Sequence, residues 1–131
     1  MWTLKNLVAL GLFLFGSTFL WMTPAFAGRT RPPTGMAWTL VNILALVAVA
    51  GFTVAAWAVF KQHAVWAPIT LASAIVGLVA VIPFVVGVSR IGPGFTDLGV
   101  QINLWMHVLG SLAAIAVVVL PGLHTWVVHR L

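Results

Sequence analysis

Residues 36–60 read MAWTLVNILALVAVAGFTVAAWAVF, a stretch without one charged side chain. A helix needs about 20 apolar residues to cross the hydrocarbon of a bilayer, and this run is long enough. Working outward from it, three further runs have the same character: Leu4–Phe26, charged only at Lys5, then Ala67–Ser89 and Val100–Val128. The connections are short and hold the breakers: 28–35 with Pro32-Pro33, 61–66, and 90–99 with Gly92-Pro93-Gly94. A 131-residue chain that is 63% hydrophobic has too few polar residues to cover four such helices in water. Lipid must cover them. Short connections make consecutive helices antiparallel neighbours. The expected fold is all-α and polytopic: one domain over residues 1–131, four transmembrane helices in an up-down-up-down bundle.

The tryptophans give an independent check on these spans, because Trp prefers the headgroup level. Trp2, Trp57, Trp66 and Trp126 fall at one surface, and Trp21, Trp38 and Trp105 at the other. None falls at mid-membrane. The start of the chain resembles a secretory signal: Lys5, the apolar stretch Leu7–Leu20, then Ala25-Phe26-Ala27 before Gly28. It is read as an uncleaved first helix, ended by the Thr23-Pro24 step. Lys5, Lys61 and Arg130 on the face with the termini balance Arg29, Arg31 and Arg90 on the other. The positive-inside count is therefore tied, and the signal-like start places the termini in the cytoplasm of a bacterial inner membrane.

Six Lys/Arg against one acid give a net charge of +5. Spread over every connection, they match anionic headgroups and not a nucleic acid. The absence of cysteine removes thiolate metal sites, iron–sulfur clusters and disulfides. No catalytic residue and no soluble substrate are indicated, and the chain reads as a non-enzyme. Asp97, the lone acid, is placed to cap the last helix with Thr96 or to pair with Arg90.

Within the spans the polar inventory is small. Asn103, His107 and Ser111 share one helical stripe, with Gly110 and Ala114 beside it. Asn42 enters the second span at a similar depth, and Ser17 and Thr18 reach that level in the first. The expectation is a polar layer of Asn42, Asn103, His107 and Ser111, with Asn42 and His107 as neighbours. Gly51 with Ala55, and Gly110 with Ala114, are small-xxx-small pairs that let helices approach. Pro83 and Pro121 should kink their spans, and the tail from Leu123 to Leu131 should bend along the interface.

Two readings of His107 compete. In the plainer one a neutral imidazole pins helices together through hydrogen bonds. In the other it is an axial ligand to haem or (bacterio)chlorophyll, or contacts a quinone or a lipid headgroup. His124 lies seventeen residues further along the same helix, so His107 has no histidine at matching depth on another span. His63, His124 and His129 share the face with the termini, but no HxxxH spacing or carboxylate joins them, so no metal site is read there.

The segment Phe95-Thr96-Asp97-Leu98 through Leu104-Trp105-Met106-His107-Val108-Leu109 to Leu120-Pro121-Gly122-Leu123 resembles the closing helix of a family of small four-helix bacterial membrane proteins, common in actinobacteria. There a Met-His pair opens the last span and Pro-Gly-Leu closes it. The family carries no assigned activity, so the resemblance implies the four-helix fold and a role for Met106-His107. Three functions follow as expectations. The first is an accessory subunit packed among lipids and the integral subunits of a respiratory or photosynthetic electron-transfer complex. The second is a tetrapyrrole carrier using His107. The third is a small self-associating transporter or channel, which the lack of embedded charge disfavours.

Overall fold

The computed structural model describes residues 2–27, 32–92 and 94–131. Gly28, Arg29, Arg31 and Pro93, used above, lie outside the described residues. Those described form α1 (Leu4–Thr18), α2 (Pro24–Ala27), α3 (Met36–Phe60), α4 (Trp66–Ser89), α5 (Leu98–Val119) and α6 (Pro121–Val128), with 3-10 turns at Phe19–Met22 and Gly94–Thr96. Four helical stretches are long and apolar enough to cross a membrane: Leu4–Met22 (α1 with its 3-10 extension), α3, α4 and α5. The chain is an all-α, multi-pass membrane protein.

The centre of the bundle is the α3–α4 pair, with α1 packed on α3 and α5 on α4. Heptad spacing explains the pairing. Along α3 the buried residues Trp38, Val41, Ala45, Ala48, Phe52, Ala55 and Val59 recur at alternating steps of three and four. Along α4 the buried residues Trp66, Thr70, Ser73, Gly77, Ala80, Phe84 and Gly87 do the same. That repeat keeps one seam facing its partner along the whole helix. Small residues let the backbones close in, since helix association in lipid relies on packing and not on expelling water. A Cβ added at Gly51 would collide with the Ser73 hydroxyl, and one at Gly87 would lie 2.7 Å from the Trp38 ring. Trp38 stands edge-on to Phe84, with ring centroids 6.0 Å apart.

The helix ends follow local chemistry. The Thr3 hydroxyl accepts from the Asn6 N–H at 3.2 Å, and the Asp97 carboxylate accepts from the Gly99 N–H at 2.7 Å. At the end of α3 the N–H of His63 donates to the Ala58 carbonyl and that of Gln62 to Val59, a Schellman closure. Its left-handed position is held by Gln62 at φ 55°, where glycine is the usual choice.

Two expectations about the spans change. The first helix tightens into a 3-10 turn at Phe19 before Thr23 turns extended, so the expected helix to Phe26 is interrupted. α4 runs through Pro83 without a break. At Pro121 the fourth run breaks instead of kinking: Leu120 is extended (ψ 116°), and a separate α6 starts with proline in its first turn, where a missing N–H costs nothing. Val127 of α6 joins Ala9, Ala58, Val59 and Trp66 in a second apolar cluster at the end of the bundle that holds the termini.

Candidate functional site

α5 buries little besides two polar residues, His107 and Ser111, both with no exposed surface. They sit on the stripe that faces the first span, and the two helices are tied at three successive levels. The Asn103 side-chain amide donates to the Trp21 carbonyl at 2.9 Å. One turn on, His107 Nε2 lies 3.1 Å from the Thr18 hydroxyl. At the third level Gly110 admits the Phe15 ring, which a Cβ there would overlap. The pairs 103–21, 107–18 and 110–15 run in antiparallel register.

The protons of this site can be counted. His107 Nδ1 is 2.7 Å from the Asn103 carbonyl, and a carbonyl only accepts, so Nδ1 carries the hydrogen of the neutral ring. Nε2 then presents its lone pair to Thr18. The Thr18 hydroxyl, however, also lies 2.5 Å from the Phe15 carbonyl. That carbonyl is free because the 3-10 tightening diverts the Phe19 N–H to Gly16 and Ser17. Three close contacts thus share two protons: one on the imidazole, one on the hydroxyl. The Thr18 proton has two acceptors, one in its own helix and one across the seam.

Aromatic rings wall the imidazole. The Phe19 ring centroid is 4.4 Å from that of His107, and Phe15 is 6.2 Å away. Phe15, Phe19 and Phe52 form a mutual cluster, with edge contacts at 5.4 and 5.2 Å and a stacked contact at 5.8 Å. Phe19 in turn fills the space left by Gly77, where a Cβ would lie 2.5 Å from the ring and 3.2 Å from the Ser111 hydroxyl. The composition of the first span hinted at this cage, since Phe15 and Phe19 are four apart and so share a face. Their contact with His107 required knowing which helices pair.

Asn42 does not belong to the layer. It is exposed and lines a shallow hollow with Trp38, Thr39 and Ile43, not His107. The reason is rotational: the heptad seam of α3 runs through Val41 and Ala45, which turns position 42 outward. Ser17 bonds back to the Leu14 carbonyl at 2.7 Å. Asn103 and Met106 line an open crevice of about 350 Å³ with Trp21 and Phe26. Of the small residues, Ala55 is fully buried and Ala114 packs on the main core. His63 and His124 line one cavity near the end of the bundle with the termini, where His124 lies flat on Trp66 with centroids 5.6 Å apart.

The residues around His107 do not fit an axial ligand to a tetrapyrrole. The ring has no exposed surface, and both nitrogens face protein oxygen atoms within 3.1 Å. The arrangement is that of a helix-to-helix pin. Comparison of the chain with protein-family models, with curated proteins and with solved structures finds no match.

Proposed function

We propose that this chain is a non-catalytic accessory subunit, packed through α5 against a larger integral membrane complex of the respiratory or photosynthetic electron-transfer kind. The observation that carries the reading is the uneven cover of the four spans. Within the bundle α3 is 39% buried along its most apolar window, but α5 only 11%. The uncovered face is ordered: Leu98, Ile102, Trp105, Leu109, Leu112 and Val119 are all exposed, at heptad steps. Such a row offers knobs to the holes of another helix, the same geometry that joins α3 to α4. His107 and Ser111 of α5 are turned inward, and the exposed Gln101 folds its amide back onto the Phe95 carbonyl at 2.6 Å, so the row itself is apolar. An electron-transfer assembly, with many apolar helices and pigments, provides a counterpart to such a face.

The test is to purify the chain under mild detergent from its own membrane and follow it on native electrophoresis. Comigration with a larger complex, lost in an Ile102→Ala/Leu109→Ala variant that is still inserted, supports the reading. Recovery of the wild-type chain only as a free monomer or a homo-oligomer would overturn it.

A further inference from the structure

The α1–α5 seam changes character below Gly110. Towards the face with the termini it opens into a groove of about 260 Å³, walled by Gly11, Gly110, Ala113 and Ala114 and floored by Thr70 and Trp66 of α4. Nothing lies within 4 Å of where a Cβ on Gly11 would stand. The lining is apolar but for Thr70, which is 1% exposed and whose hydroxyl has no hydrogen-bond partner among the described residues. Other helix hydroxyls of the chain, such as Thr39, Thr53 and Ser73, donate to the carbonyl four residues back. Thr70 does not. Thr70 lines the groove, and its buried, unpartnered hydroxyl calls for an acceptor.

Trp66 also lines a second cavity, of about 440 Å³, one helical turn nearer the membrane surface. Its polar walls are Gln62, His63 and His124. The buried Nδ1 of His124 has no hydrogen-bond partner among the described residues. His63 Nδ1 accepts from the Val65 N–H at 3.3 Å, which leaves its Nε2 as the N–H donor of the neutral ring. The left-handed Gln62, whose amide donates to the Leu131 carbonyl at 2.9 Å, shapes this corner. Lys61 and Arg130 adjoin it in sequence, and Lys5 belongs to the same face, where the Lys5 and Lys61 ammonium groups lie 5.5 and 5.9 Å from the Phe60 ring. The only acidic side chain of the sequence, Asp97, belongs to the opposite face.

Read from the surface inward, the order is cationic and imidazole donors, then an unpartnered hydroxyl one turn deeper, then an apolar groove. We infer that these two cavities, which share Trp66 in their walls, form a binding site for one anionic glycerophospholipid. Its phosphate lies against His63 and His124 beside Lys61, a glycerol ester carbonyl accepts from Thr70, and an acyl chain occupies the groove along Gly11, Gly110 and Ala113. A free phosphate would use the upper cavity alone and leave the Thr70 hydroxyl and the groove without a purpose. The matched parts identify a lipid.

Native mass spectrometry of the full chain, delipidated and then titrated with phosphatidylglycerol, phosphatidylcholine or inorganic phosphate, tests the assignment. The expected result is a one-to-one phosphatidylglycerol adduct that survives activation at which phosphatidylcholine is lost. Thr70→Val should weaken retention about fivefold, the scale of one neutral hydrogen bond. Ala113→Leu, at an exposed position that leaves the core intact, should abolish the adduct with helix content by circular dichroism unchanged. His124→Phe, which keeps a ring on Trp66, should remove the preference for the anionic lipid. Equal retention of both lipids by the wild type, displacement of the lipid by inorganic phosphate, or wild-type retention by Thr70→Val and Ala113→Leu would each overturn the site.

Discussion

The seam between the first and last spans has two halves built on the same pair of helices, and they differ in kind. On the side of Trp21 it is closed by an amide on a carbonyl, an imidazole on a hydroxyl and a phenyl ring seated on a glycine. On the side of Trp66 it is open, a groove lined by Gly11, Gly110, Ala113 and Ala114 together with Val8, Leu12 and Val117. Both halves have small residues facing the seam. What separates them is whether a large side chain from the opposite helix enters the space. Phe15 and Phe19 do so in the closed half; beyond Gly11 α1 lines the seam with Val8, and the groove stays open. Small residues therefore allow a close approach but do not produce one; the complementary knob decides.

The comparison can be broken most severely at the cage. Phe19→Ala removes a ring with no exposed surface that touches His107, Phe15, Phe52 and Gly77. The expected loss is about 3–5 kcal/mol, read as a large fall in thermal stability in detergent. A smaller loss comes from glycine. Gly16→Ala brings a methyl group onto the Phe52 side chain next to its backbone, and Gly110→Ala brings one onto Phe15. Each should cost about 1–3 kcal/mol by overpacking, checked by unfolding in SDS titration.

The pin itself is worth less. A double-mutant cycle of His107→Phe with Thr18→Val should return a coupling of about 0.6–1.7 kcal/mol, the range for hydrogen bonds between membrane helices. Nitrogen-15 shifts of His107 should show the proton on Nδ1, and a proton on Nε2 instead would break the assignment. The smallest effect lies in the open half and has the opposite sign. Gly11→Ala meets no atom and should stabilise the helix by up to about 1 kcal/mol. Two glycines five residues apart in α1 thus answer the same substitution in opposite directions.

Span number and the all-α character were legible in the sequence, because they depend on the length and composition of the apolar runs. Asn42 shows where that legibility ends. Counting along the spans gives it a depth close to that of His107, but depth says nothing of rotation, and the heptad seam of α3 turns it outward. Thr18 was within reach of the layer by the same measure, yet only the pairing of the first span with the last selects it. The break at Leu120 was half legible: Pro121 marks the place, but the return of Val127 onto Ala58 and Val59 depends on the whole end of the bundle. The left-handed Gln62 carries no glycine to announce it.

The ties that close the seam join residues far apart in the chain, 82 positions for Asn103 to Trp21 and 89 for His107 to Thr18. Every other major helix contact links sequence neighbours, or α1 to α3 across a short connection. Contacts at such separation form last, after the loop between them has been drawn in. During synthesis the first span therefore waits in the bilayer, its Trp21 carbonyl and Thr18 hydroxyl unmet across the seam, until α5 is inserted. The pin closes the bundle only once α5 is present: a chain that stops before residue 98 keeps the α1–α3 and α3–α4 packing but lacks every tie of the first span to the last.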